Sequence, residues 1–152
     1  METRRLDGRI AWVTGSSRGI GRAIALSLAD ARVDVAINFF RNRAAAEDVA
    51  REIEARGARS LLVKGNVANE EHVARMFAEI GETWGGLEIL ISNAASGVLK
   101  PFAELSLHHF HWTMDINAAA LLPLVQHFVR LPGGGERVVV AVSSLGAVRA
   151  IP

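Results

Sequence analysis

The chain contains neither cysteine nor tyrosine. Without cysteine it has no disulfide, no thiolate metal ligand and no thiol nucleophile, and that count leaves the redox compartment open. An excess of charge is missing as well: 17 Lys and Arg stand against 16 Asp and Glu in 152 residues, a formal net charge of +1. That balance supplies no basic field, so no nucleic-acid partner is expected. No uncharged apolar run approaches the roughly 20 residues that span a bilayer. The N-terminus, Met1-Glu2-Thr3-Arg4-Arg5, leads into a core strand and not into the apolar stretch of a secretory leader, so no membrane partner is expected and the chain reads as cytoplasmic. Apolar residues, by contrast, make up 50% of the chain, enough for one domain, 1–152, with a sizeable core.

Short β-type runs alternate with helical patterns along the whole length, the pattern of βαβ units and a parallel sheet covered on both faces. Strands are expected at 9–14, 33–38, 60–64, 87–92 and 137–143. Between them, Ile20, Ile24 and Leu28, then Ala46, Val49 and Ile53, then Val73, Met76, Phe77 and Ile80 recur at helical spacing. The fourth crossover is longest: a loop over 94–106, then a helix from Leu107 to about Val129 with Phe110, Met114, Leu121, Val125 and Phe128 on related faces. Strand five carries Val138, Val139, Val140 and Val142, a run suited to burial on both faces, yet nine residues follow Ser143. An uncovered apolar edge invites aggregation. A partner chain or a longer reading frame is therefore expected to supply the missing layer.

The run Thr14-Gly15-Ser16-Ser17-Arg18-Gly19-Ile20-Gly21 follows the first strand and opens the first helix. Glycines at 15, 19 and 21 permit a sharp turn, close approach to a phosphate and tight packing of the helix start, where unpaired N–H groups and the positive dipole end collect. Strand, glycine turn and helix together point to a dinucleotide pyrophosphate. After the second strand a carboxylate would bind the adenosine ribose hydroxyls. Here Asn38 is followed by Phe39, Phe40 and Arg41, and Asp34 lies at the wrong end of the strand. Arg41 and Arg18 can clasp a 2′-phosphate with charge-assisted bonds, which favours NADPH over NADH. The plainer reading leaves both arginines as solvated surface residues.

Asn66-Val67 follows the third strand and Asn93-Ala94-Ala95 the fourth, at the carboxyl ends that line the crevice of an open parallel sheet. Asn66 can hydrogen-bond an adenine edge, and the small residues let a ring system pass close to the backbone; otherwise these are ordinary turn formers. Ser143 and Ser144 end strand five at the same crevice, where a hydroxyl can donate to a substrate carbonyl oxygen. Asn117 sits inside the long helix, where a poor helix former needs a reason such as holding a water or a backbone carbonyl. No acidic residue or cysteine joins His108, His109 and His111 at ligand spacing, apart from Glu104 just over a turn earlier, so no metal site is expected there. Trp112 and Met114 read as core or interface residues.

Taken as a set, Thr14-Gly15-x-x-x-Gly19-Ile20-Gly21, Asn66-Val67, Ser92-Asn93-Ala94-Ala95, Asp115-Ile116-Asn117 and Val142-Ser143-Ser144 resemble the short-chain dehydrogenase/reductase family across essentially the whole chain. The resemblance implies an α/β, doubly wound, Rossmann-type parallel sheet in the order 3-2-1-4-5, here truncated after strand five. It also implies a nicotinamide cofactor, a subunit that is usually part of a homo-oligomer, and a catalytic Asn-Ser-Tyr-Lys group. By position, Asn117 would be its asparagine and Ser143 or Ser144 its serine. The tyrosine and lysine have no counterpart, so the catalytic C-terminal part is expected to be missing. The stretches 92–101, 112–117 and 143–152 look like those of the bacterial NADPH-dependent enoyl-acyl-carrier-protein reductases, although Ser92 and Ala95 depart from the commoner family pattern. This resemblance implies reduction of a trans-2-enoyl thioester on acyl carrier protein in fatty-acid synthesis. A 3-oxoacyl-carrier-protein reductase or another short-chain carbonyl reductase, and an inactive nucleotide-binding remnant, stay open as alternatives.

Overall fold

A computed structural model of the chain describes residues 6–149. The expected N-terminal lead-in, residues 1–5, and the last three residues of the 143–152 stretch lie outside that range. Five parallel strands form one sheet in the order β3-β2-β1-β4-β5. In chain order the elements are β1 (Ile10–Val13), α1 (Gly19–Asp30), β2 (Asp34–Phe39), α2 (Arg43–Ala55), β3 (Ser60–Lys64), α3 (Glu70–Trp84), β4 (Ile89–Ser92), α4 (Leu107–Met114), a π-helical turn (Asp115–Ala119), α5 (Leu121–Arg130) and β5 (Val138–Ala141). This is the doubly wound order read from the sequence, with most strand ends shifted by one or two residues. Among the described residues no helix is long and apolar enough to cross a membrane.

Alternation along β1 builds both halves of the core. Ala11 and Val13 face α1 and α2, packing with Val35, Ile37, Ile91, Ala25, Ala29, Val49 and Ile53. Ile10 and Trp12 face the other way, toward Met76, Phe77 and Ile80 of α3 and Leu124 and Phe128 of α5. The Trp12 and Phe77 rings meet edge to face with centroids 4.7 Å apart. Burying each large side chain of this kind stabilises the fold by about 1.5–3 kcal/mol. Helix starts are set locally: the Asn42 and Asn69 side chains accept the Ala45 and His72 N–H groups, and Ser106 and His109 form a capping box at α4. Ile20, expected on the core stripe of α1, is instead 65% exposed at the helix start, and Ala25, Leu26 and Ala29 form the buried face.

The long helix expected from 107 to 129 is broken. Pro123 lacks an N–H, and its ring would press on the carbonyl four residues earlier, in a continuous helix that of Ala119. The chain answers with a wider turn, in which the Ala120 N–H donates to Asp115 O five residues back at 2.9 Å. Phe110 and Met114 are exposed on the near side of this break. β5 pairs only with β4, and Val138, Val139, Val140 and Val142 stay 46%, 39%, 43% and 41% exposed, so the burial that their composition suits is not provided within residues 6–149.

Candidate functional site

The carboxyl ends of β1 to β4 open into one cleft of about 640 Å³, within the usual range of about 300–1,000 Å³ for ligand sites. All twelve residues expected at a cofactor line it: Gly15, Ser17, Arg18, Gly19, Ile20 and Gly21 from the glycine turn, Arg41 after β2, Asn66 and Val67 after β3, and Asn93, Ala94 and Ala95 after β4.

Buried polar side chains hold the turn in shape. Ser16 Oγ donates to Val13 O at 2.7 Å and accepts the Asn38 N–H at 3.0 Å. Asn38 Oδ1 accepts the Gly15 N–H at 3.0 Å, while its Nδ2 donates to Val63 O and Gly65 O at 3.2 and 3.1 Å. Thr14 Oγ1 accepts the Asn93 and Ala94 N–H groups at 2.8 and 2.9 Å, and Asn93 Nδ2 donates to Thr14 O at 3.0 Å. These bonds stitch the ends of β1, β2, β3 and β4 together, as buried polar groups require. They also assign Asn38 and Asn93 to the scaffold. β2 runs one residue further than expected, to Phe39, and the Asn38 side chain is consumed inside the fold. Asn38 still lines the cleft, along with Phe39, Phe40, Arg41 and Asn42, but with its amide spent inside the fold it is Phe40 and Arg41 that offer exposed side chains there.

Gly15 has φ +62°, and a Cβ there would fall 2.9 Å from Ala94 Cα; Gly19 has φ +57°, with nothing within 4 Å of where a Cβ would stand. The first demands a bare backbone for packing, the second leaves a bare backbone open to a ligand. Whereas α2, α3 and α4 are capped by side chains, Arg18 at the N-cap of α1 makes no side-chain cap bond. The first N–H groups of α1 therefore stay available to an anion at the positive end of the helix dipole.

Charge in the cleft has one sign. Arg18 and Arg41 line it and no carboxylate does. The Arg41 guanidinium lies 5.5 Å from the centre of the Phe40 ring. Asp34 sits at the far end of β2, 2.6 Å from Arg59. At the β3 end, Asn66 Oδ1 accepts the Ala68 N–H at 3.0 Å, and its Nδ2 has no hydrogen-bond partner among the described residues.

At the β4 end Trp112 and Ile116 join the lining. Trp112, expected in the core or an interface, instead donates from Nε1 to Ser96 Oγ at 2.9 Å. Asn117 lies in the π turn and holds the backbone of Ser96 by both groups: Oδ1 accepts its N–H at 2.9 Å and Nδ2 donates to its carbonyl at 2.6 Å. A backbone carbonyl held by Asn117 is what its place in the helix suggested. Ser143 and Ser144 were expected to end β5 at the crevice, but the strand stops at Ala141 and neither serine lines the cleft. Ser144 Oγ accepts the Gly146 N–H at 3.2 Å and caps a short 3-10 turn, whereas the Ser143 hydroxyl has no hydrogen-bond partner among the described residues. His109 is used in the α4 capping box. No group of three metal-ligating side chains comes together among the described residues.

Residues 9–152 match the family described as short chain dehydrogenase. Among curated relatives, a 1-cyclohexenylcarbonyl-CoA reductase of Streptomyces collinus is 35% identical over 144 residues, covering 95% of this chain and 51% of the relative. A hydroxynaphthalene reductase-like protein, Arp2, of Metarhizium robertsii is 34% identical over 145 residues, covering 95% and 54%. The chain thus spans about half the length of these relatives. A crystal structure of a short chain dehydrogenase from Burkholderia cenocepacia in complex with NADP superposes with a TM-score of 0.91 at 35% identity, over 97% of this chain and 60% of that one. With its 3-2-1-4-5 sheet, its glycine turn and this match over nearly its whole length, the chain belongs to the short-chain dehydrogenase family of oxidoreductases.

Proposed function

We propose that the cleft holds NADP, with NADPH preferred over NADH, and that the chain forms the cofactor-binding part of a reductase acting on an enoyl thioester. The observation that carries the cofactor reading is the pairing of two guanidinium groups, Arg18 and Arg41, with the absence of any carboxylate lining the cleft. A 2′-phosphate gains charge-assisted bonds there, and nothing repels it. The open backbone at Gly19 and the uncapped start of α1 fit a pyrophosphate. The complex of the Burkholderia cenocepacia relative with NADP supports the same reading.

When bound, NADPH supplies the hydride for the β-carbon of the enoyl group. The chain's own residues bind and orient. Ile20, Val67 and Ala94 offer apolar contact, Asn66 Nδ2 a donor to the adenine, and Ala95 and Ser96 the floor at the β4 end. Ser143 is the proposed donor to the thioester oxygen as charge builds on it, with Ser144 the alternative, since Ser144 Oγ only accepts the Gly146 N–H and keeps its own O–H; either serine must move to reach the cleft, which neither lines. Asn117 keeps Ser96, and so the floor, in place. The proposed substrate is carried on acyl carrier protein, and the Streptomyces collinus relative, a reductase of a cyclohexenylcarbonyl thioester, supports an unsaturated thioester. The hydroxynaphthalene reductase-like relative favours a second reading, reduction of a ketone.

The 152 residues contain no tyrosine to serve as the expected proton donor, so turnover by this chain is slow, lower by about a hundredfold to ten-thousandfold than with a placed acid. A long incubation with NADPH deuterated at the transferable position separates the two readings. Deuterium at the β-carbon of crotonyl thioester, with none taken up by acetoacetyl thioester, supports enoyl reduction; label only at the 3-carbon of the oxo substrate contradicts it.

A further inference from the structure

Ser96 is held from two directions by side chains that a regular helix would keep apart. Asn117 takes its backbone N–H and carbonyl, and Trp112 takes its hydroxyl at 2.9 Å. Residues five apart on an α-helix of 3.6 residues per turn project roughly 140° from one another. The π turn at Asp115–Ala119 narrows that angle, and Pro123 fixes where the turn forms. The other end of α4 is anchored by the Ser106–His109 capping box, so Trp112 is carried on a segment tied down on both sides. Trp112 also lines the cleft together with Ile116, one turn further along, at the β4 end. Arg41 and Asn66 occupy the β2–β3 end. If the arginines hold the 2′-phosphate, the nicotinamide half must run toward Trp112.

Resting on the proposed NADP site, we propose that Trp112 is a positioning residue: its bond to the Ser96 hydroxyl fixes the 94–97 backbone as the floor of the cleft, and its ring forms the wall beside the nicotinamide half of the cofactor. The consequence is a division of labour along the cleft. Affinity for the phosphorylated adenosine end comes from Arg18, Arg41 and the glycine turn, and is independent of Trp112.

The test compares wild-type chain, Trp112→Phe, Ser96→Ala and the double variant, titrated with NADPH and with adenosine 2′,5′-bisphosphate, which lacks the nicotinamide half. Trp112→Phe keeps one aromatic ring of the wall and removes the donor, while Ser96→Ala removes the same bond and leaves the whole indole in place. Each single variant is expected to weaken NADPH roughly threefold to tenfold, the effect of one neutral hydrogen bond. Binding of adenosine 2′,5′-bisphosphate is expected to stay unchanged, and the double variant to lose no more than either single one. Equal loss for both ligands would make Trp112 merely structural and overturn the proposal, as would unchanged NADPH affinity or additive losses. A wild-type chain that binds neither ligand would overturn the proposed cofactor site itself, a result distinct from all of these.

Discussion

Replacing Asn38 with aspartate distinguishes a scaffold residue from a cofactor-reading one. The change looks like a route to NADH, since a carboxylate near the end of the second strand reads the ribose hydroxyls in dinucleotide sites of this fold. The structure gives a different outcome. Asn38 is 3% exposed, and its Nδ2 supplies the donors to Val63 O and Gly65 O. Aspartate keeps the acceptor for the Gly15 N–H, loses both donors, leaves two carbonyls facing a carboxylate oxygen and buries a charge. Two lost bonds at about 0.5–1.5 kcal/mol each, with about 1–3 kcal/mol for each of the two buried carbonyls left unpaired, come to roughly 3–9 kcal/mol. That is a large share of a total stability of about 5–15 kcal/mol. At about 2–4 °C per kcal/mol for a chain of this size, Asn38→Asp lowers the melting temperature by roughly 10 °C or more. Phe40→Asp makes the opposite trade. Phe40 is 42% exposed and lines the cleft, so the variant melts near wild type, while a carboxylate there repels a 2′-phosphate by about 1–4 kcal/mol at a separation of about 4 Å. Thermal melts combined with NADPH and NADH titrations read both effects. An Asn38→Asp protein that melts like wild type and prefers NADH would refute the assignment of Asn38 to the scaffold.

Arg41→Ala is expected to weaken NADPH about tenfold, the lower end of a charge-assisted bond because Arg41 is exposed, and to leave NADH little changed; titrations at low and high salt check it, since the difference must shrink as salt screens the pair. Gly21→Ala would put a Cβ 2.4 Å from Asn93 Nδ2 and 2.5 Å from Gly15 O. The overpacking lowers stability by about 1–3 kcal/mol, readable in a denaturant melt. Arg22 joins α1 to α2 through Glu52 at 2.6 Å, and its hydrogen bond, more than its charge, holds the Glu52 carboxyl below the ordinary glutamate value. The pair's contribution is intact above the ordinary glutamate pKa of about 4.3 and is lost as pH falls through the lowered one. Glu52→Gln therefore flattens the acid side of the stability profile: the variant is slightly less stable than wild type near neutral pH and converges with it as pH falls, which melts from neutral to acid pH measure.

The sheet was legible because its signals are local and repeated. Each β-strand is a short apolar run ended by a turn former, and each expected strand appears in the stated order. The residues that line the cleft were legible for a related reason: in this fold a residue just past a strand's carboxyl end reaches the crevice whatever its side chain does. The roles of individual side chains were less readable. Nothing in Asn-Phe-Phe-Arg tells that Asn38 turns inward to Gly15 and β3, because those partners are 23 to 27 residues away. The break in the long helix did have a signal, Pro123, which outweighs the apolar spacing around it. Trp112 had none: its place at the cleft depends on a π turn that lies after it in the chain and on a loop 16 residues before it. Ser143 and Ser144 are adjacent and chemically alike, and only the cap made by Ser144 tells them apart.

The central claim is that this cleft takes a 2′-phosphorylated dinucleotide, and it is tested most directly by the dissociation constants of NADPH and NADH for the unmodified chain under one buffer and one salt concentration. Two guanidinium groups and no lining carboxylate predict tighter binding of NADPH by about tenfold or more. Equal constants, or tighter binding of NADH, would contradict the account.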